Sequence, residues 1–185
     1  MFKTISVQTT YKCQMKCANC YLGDMLNNEK FKDVDPYKFK EAISKIKSRC
    51  DIRFIGAEPT LNPDLFELVH ITRSVGHRPS LLTNGLKLRN ENYTRELKRA
   101  GVNMLGLSMN GGLDDDLYQL MDNGKYAKQK ITALENCFKH RILPHINMIV
   151  IPENVKAITP LVNHIEHLRE KYSFKKYPVM IRFKS

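Results

Sequence analysis

Six strand-like segments alternate with five helical ones along the whole chain, and this order restricts the fold more than any other feature. The strand candidates are residues 4–10, 52–56, 79–83, 103–108, 146–151 and 179–183. The helices between them carry their own start signals. Asp35 precedes Pro36, and Phe39, Ile43 and Ile46 then recur at helical spacing. Asn62-Pro63 is read as the cap of a helix with Leu65, Leu68 and Val69 facing inward. Asn90 caps a third helix with Tyr93, Leu97 and Ala100, and Gly101 ends it. Ile131, Leu134 and Phe138 mark a fourth, and Pro160 opens a fifth with Leu161, Ile165 and Leu168. Strand, helix, strand in this rhythm demands a parallel sheet with helices outside it. Right-handed crossovers then bring the carboxyl ends of all the strands to one rim. In curved sheets of this kind that rim holds the active site.

The unusual residues of the chain follow the strands. Cys13, Cys17 and Cys20 come after the first, spaced Cys-x3-Cys-x2-Cys, and Gly56-Ala57-Glu58-Pro59 comes after the second. Thr83-Asn84-Gly85 follows the third, Ser108-Met109-Asn110-Gly111-Gly112 the fourth, and Pro152-Glu153-Asn154 the fifth. Five such loops meeting on one rim say more than any single motif. Three thiolates in one loop suit an iron–sulfur cluster or zinc. Closed zinc sites usually take four ligands, paired at two places. Here Cys50 and Cys137 are isolated, and they read as small buried hydrophobes. A four-iron cluster on three thiolates leaves one iron open to a cofactor. Five cysteines, an odd number with three in eight residues, argue against a disulfide framework and for a metal site in a reducing cytoplasm.

The cysteine spacing, with Gly56-Ala57-Glu58-Pro59 in place of a Gly-Gly-Glu-Pro pattern, resembles the radical S-adenosylmethionine (radical SAM) superfamily. The likeness runs toward its molybdenum-cofactor, nitrogenase-cofactor and peptide-modifying branch. It implies an α/β partial (β/α)6 TIM-like barrel in one domain, residues 1–185. It implies a single oxygen-sensitive 4Fe-4S cluster on Cys13, Cys17 and Cys20, with S-adenosylmethionine on the open iron. Reductive cleavage of that cofactor would yield a 5′-deoxyadenosyl radical, which takes hydrogen from a substrate. Gly56, Ala57, Glu58 and Pro59 would cradle the cofactor, joined by Asn84, Ser108 and Asn110. Asn110 stands where the family often has an acid, and an amide brings hydrogen bonds without charge. Asn19 and Tyr21 flank the third cysteine, where many relatives place an aromatic before it. Val150, Ile151 and Pro152 resemble the strand that lines the adenine. The electron would come from a flavodoxin- or ferredoxin-like donor. On this likeness Gly56→Val is expected to weaken cofactor binding and to spare the cluster.

Three readings of the reaction stand side by side. The favoured substrate is a peptide or protein. A nucleotide or RNA is the alternative, which the net charge of +11 permits. The third is a cluster-bearing subunit without catalysis. Most basic residues, among them Lys45, Lys98, Lys125, Lys128, Lys130, Lys171, Lys175 and Lys176, fall on helix faces that read as solvated. No run of about 18 apolar residues exists, so nothing is expected to span a membrane. The segment 179–183 is apolar and its far edge has no successor. The chain is therefore expected to be truncated there, or to have that edge covered by a partner or a second copy near Val179, Ile181 and Phe183.

Overall fold

Thr4–Gln8 (β1), Asp51–Ile55 (β2), Arg78–Thr83 (β3), Met104–Ser108 (β4), Leu143–Ile149 (β5) and Ile181–Lys184 (β6) form one sheet in sequence order. Every pairing in it is parallel. The structure is a computed structural model that describes residues 3–174 and 178–184. Lys175, Lys176, Tyr177 and the terminal Ser185 lie outside the described residues. Among the described residues β1 and β6 do not pair, so the sheet is an open arc.

The helices are Pro36–Ser44 (α1), Leu65–Ser74 (α2), Glu91–Ala100 (α3), Asp115–Asp122 (α4), Ala127–Lys139 (α5) and Ile158–Lys171 (α6). The caps explain several starts. The Asp35 carboxylate accepts from the Lys38 N–H at 2.8 Å, and the Asn90 side chain from the Tyr93 N–H at 3.2 Å. Asn62 does not cap α2. Its Oδ1 accepts from the Asp64 N–H, and its amide donates 2.8 Å to the Thr9 carbonyl, tying this turn to the end of β1. Helix α6 starts at Ile158, two residues before Pro160. Helix α4 was not expected from the sequence. Its cap is Asp114, which accepts from the Asp116 and Leu117 N–H groups.

Alternation along the strands divides the sheet into two unlike faces. Ile52, Phe54, Leu81, Leu105, Leu107, Ile146 and Met148 are buried in the core. Phe39 and Ile43 of α1, Leu68 of α2, Leu97 of α3, Leu134 and Phe138 of α5 and Ile165 of α6 belong to the same core. Cys50 and Cys137 lie in it as well, as the sequence suggested. The intervening residues are different in kind: Ser6, Arg53, Ser80, Gly106, His145, Asn147, Arg182. In β6, Ile181 is partly buried against the core, while Phe183 remains half-exposed.

Candidate functional site

Beyond β1 the chain holds its register for two more residues before the cysteines begin. The Thr9 N–H and hydroxyl both donate to the Ile55 carbonyl, at 2.8 and 2.9 Å. The Thr10 carbonyl accepts from the Ala57 N–H at 3.0 Å. The loop is then pinned from two sides. Asn27 clasps Cys13, accepting from its N–H at 2.8 Å and donating to its carbonyl at 3.0 Å. From the other side, the Ala18 N–H donates to the Met121 carbonyl at 3.0 Å, and the Asn123 amide to the Lys16 carbonyl at 2.7 Å. Helix α4 therefore braces the cysteine loop. Met15 and Leu22 are buried and anchor it further.

The three thiols line one cavity of about 170 Å³ with Gly56, Ala57, Asn84, Ser108 and Asn110. Asn19 and Tyr21 border it too, and the Tyr21 hydroxyl donates to the Gly56 carbonyl at 3.4 Å. Glu58 and Pro59 are buried outside that lining. The Glu58 carboxylate accepts from the Thr60 N–H and hydroxyl, the Thr83 hydroxyl and the Asn84 N–H, at 2.6–3.1 Å. It thus fastens the loop after β2 to the loop after β3. Asn84, positioned this way, reaches the Cys13 sulfur with its amide at 3.6 Å. Asn110 shows why an amide suits its position. It accepts from the Ile149 N–H and donates to Asp122, each at 3.0 Å. A carboxylate there would face the Asp122 carboxylate directly.

Gly56 sits at φ +147°, and a Cβ added there would lie 2.5 Å from the Thr10 carbonyl oxygen. The sequence reading expected a larger residue to obstruct only the cofactor. The structure shows that it first strikes the strand leading into the cysteine loop. Gly56→Val is therefore expected to destabilise the fold by about 1–3 kcal/mol through backbone strain. It should impair cluster assembly as well as cofactor binding. Wild-type iron content in a reconstituted, folded variant would refute this coupling of the two loops.

Lys130 is the functional-site residue that the sequence reading misplaced. Instead of lying on a solvated face it is fully buried and lines the cavity. Its ammonium donates to the Ser108 carbonyl at 2.8 Å, lies 3.6 Å from Asp122 Oδ2, and sits 5.1 Å over the Tyr118 ring. Burial lowers its pKa, while Asp122, Cys17 and Glu58 raise it. Burial, reinforced by Asp122, pushes the Cys17 thiol up to about 12, and Lys130 works against that rise. Burial also pushes the Cys13 thiol up, opposed by the Met15 N–H and the Asn84 amide. The spacing of Ala127, Lys130, Leu134 and Cys137 marks one buried stripe of α5, so the placement of Lys130 was open to a periodicity argument.

The donor set fits an iron–sulfur cluster. Among the described residues no three His, Cys, Asp or Glu side chains converge as the ligands of a single ion. The three thiols instead border one cavity, lined beyond them by the small Gly56 and Ala57, the neutral Asn84, Ser108 and Asn110, and the buried pair of Lys130 and Asp122.

The Radical SAM superfamily model matches residues 7–165. The chain is 30% identical over 162 residues to the 7,8-dihydro-6-hydroxymethylpterin dimethyltransferase of Methanocaldococcus jannaschii, covering 83% of this chain and 30% of that protein. It is 27% identical over 168 residues to a probable GTP 3′,8-cyclase of Thermoplasma volcanium, covering 86% of this chain and 49% of that one. The structure of Streptococcus suis SuiB bound to S-adenosylmethionine aligns with a TM-score of 0.75 at 14% identity, over 98% of this chain and 50% of that one. That likeness is one of fold. The chain spans about half the length of the curated relatives it matches, or less.

Proposed function

This chain belongs to the Radical SAM superfamily, and on that footing we propose that Cys13, Cys17 and Cys20 hold a 4Fe-4S cluster at which S-adenosylmethionine is bound. The superfamily's cofactors are that cluster and S-adenosylmethionine, and its members are enzymes. When bound and reduced by a flavodoxin- or ferredoxin-like donor, the pair supplies a 5′-deoxyadenosyl radical that takes hydrogen from a substrate. The observation that carries the assignment is the single cavity shared by three thiols and the loops after β2, β3 and β4.

The chain's own residues have separable tasks in this reading. Gly56 and Ala57 offer bare backbone to a polar amino-acid moiety. Asn84 and Ser108 present neutral hydrogen-bonding groups. The Asn110 amide already serves Ile149 and Asp122, so it shapes the wall through which β4, β5 and α4 are joined. Glu58 holds the loops in position from behind. Five free thiols suit a reducing cytoplasm, and no helix among the described residues is long and apolar enough to cross a membrane.

The substrate we favour is a small heterocyclic metabolite rather than a peptide. Two of the relatives carry a pterin and GTP in their names. The test is direct. Anaerobically reconstituted, dithionite-reduced protein should convert S-adenosylmethionine to 5′-deoxyadenosine and methionine. A fully loaded cluster that yields neither would favour the non-catalytic reading.

A further inference from the structure

The helix-free face of the sheet carries polar and cationic side chains among the apolar Leu82 and Met104. Arg53 of β2 stands beside Ser80 of β3 in register, His145 of β5 beside Gly106 of β4, and Asn147 of β5 beside Arg182 of β6. With Lys184 these residues line a cavity of about 280 Å³ that contains no acidic side chain. Leu82 borders both this cavity and the one that holds the cysteines, so the two adjoin.

Two features mark this face as built for a ligand. The Ser80 hydroxyl and the Asn147 Nδ2 are buried without a hydrogen-bond partner. An orphaned buried polar atom costs about 1–3 kcal/mol, and two of them on one cavity call for an occupant. Gly106 keeps the space open, since a Cβ there would lie 2.7 Å from Asn147 Nδ2. The second feature is unbalanced charge. Among the described residues no carboxylate pairs with Arg53, Arg182 or Lys184, whereas Arg78 at the base of the sheet is paired with Asp51. On the helices Lys45, Lys139 and Lys171 are paired with Glu41, Glu91 and Glu135, while Lys38, Lys40 and Lys128 stand in open solvent without a carboxylate among the described residues. His145 accepts from the Met180 N–H through Nδ1 at 3.2 Å, which leaves its Nε2 to donate. Burial, with Arg182 and Arg53 nearby, holds it below its ordinary value and so keeps it neutral.

We propose that this face binds the phosphate groups of a small phosphorylated substrate, with Arg53, Arg182 and Lys184 supplying charge and Ser80, His145 and Asn147 neutral contacts. It rests on the radical reading above for the reason such a substrate lies next to the cysteine cavity. Arginine's planar fork suits phosphate oxygens, and each charge-assisted contact is strong where water is partly excluded. The cavity is near the lower end of small-molecule sites, about 300–1,000 Å³, which favours a metabolite over a nucleic acid.

Calorimetric titration of the reconstituted chain with GTP, tripolyphosphate and guanosine tests this. GTP and tripolyphosphate should compete for one site, weaken with added salt, and bind at least about tenfold tighter than guanosine. Arg53→Gln and Arg182→Gln should each weaken GTP about tenfold or more, while Lys45→Gln on the outer surface should change nothing. Arg182 is exposed, so its variant reports even if Arg53→Gln folds poorly. Equal affinity for GTP and guanosine would overturn the proposal. So would equal losses in Arg53→Gln and Lys45→Gln, or binding of transfer RNA that tripolyphosphate does not displace. Phosphate binding without cleavage of S-adenosylmethionine would remove the radical reading alone. Cleavage without phosphate binding would remove this proposal alone.

Discussion

Cys17→Ala should bring the iron content of the reconstituted chain from about four atoms to near zero, with loss of the cluster's visible absorbance. Three thiols border the cavity, and removing one leaves too few anchors for a cubane that already has an open iron. Cys17 also sits between two fixed points of the loop, because Ala18 is hydrogen-bonded to Met121 and Lys16 to Asn123. The backbone therefore cannot easily shift to offer a substitute ligand. Cys50→Ala and Cys137→Ala should retain the cluster. Both residues are buried in the core, Cys50 with its sulfur 3.7 Å from His77 Nδ1. Cys137 is fully buried in the core on α5 and does not line the cavity that the three thiols share. These two variants should lose some stability through the cavity left behind, and no iron. Loss of the cluster in Cys50→Ala would break the three-ligand assignment.

The rim of the barrel could be read from the chain because its signals are local. Asp35 and Asn90 cap as expected, Gly56 and Asn84 directly follow the ends of β2 and β3, and the cysteines begin a few residues beyond β1. The inner face was missed for a physical reason. Parallel strands covered on both faces read as continuous apolar runs. Here helices cover one face only. Alternation in Arg53-Phe54, Ser80-Leu81 and His145-Ile146-Asn147 carried the information, but it needed to be read at a period of two. Helix α4 was missed because Gly111-Gly112-Leu113 followed by three aspartates has the composition of a loop. Its first aspartate is a cap, and Leu117, Tyr118 and Met121 make its buried face. Lys130 eluded the reading because lysines are almost never fully buried unless paired, and its partner Asp122 lies on that same unrecognised helix.

Lys130→Met is expected to destabilise the cluster-free chain by about 3–5 kcal/mol, the usual cost of leaving one member of a buried ion pair behind. The methionine would fill similar space, so the loss is electrostatic more than steric. Asp122 would keep its hydrogen bond from Asn110, but its Oδ2 has no hydrogen-bond partner even in the native chain and depends on the ammonium 3.6 Å away. The Ser108 carbonyl would lose its donor at the same time. Adding Asp122→Asn to Lys130→Met removes the stranded charge, and the new amide can still accept from Asn110. The double variant should therefore recover about half or more of the lost stability. Anaerobic urea unfolding of the wild type, both single variants and the double variant gives the coupling directly. Iron retention should fall in Lys130→Met too, because a Cys17 thiolate beside an unpaired Asp122 sets two anions together. A double variant no more stable than Lys130→Met would show that the lysine contributes through its contacts with Ser108 and Tyr118, and that the charge of Asp122 is compensated elsewhere.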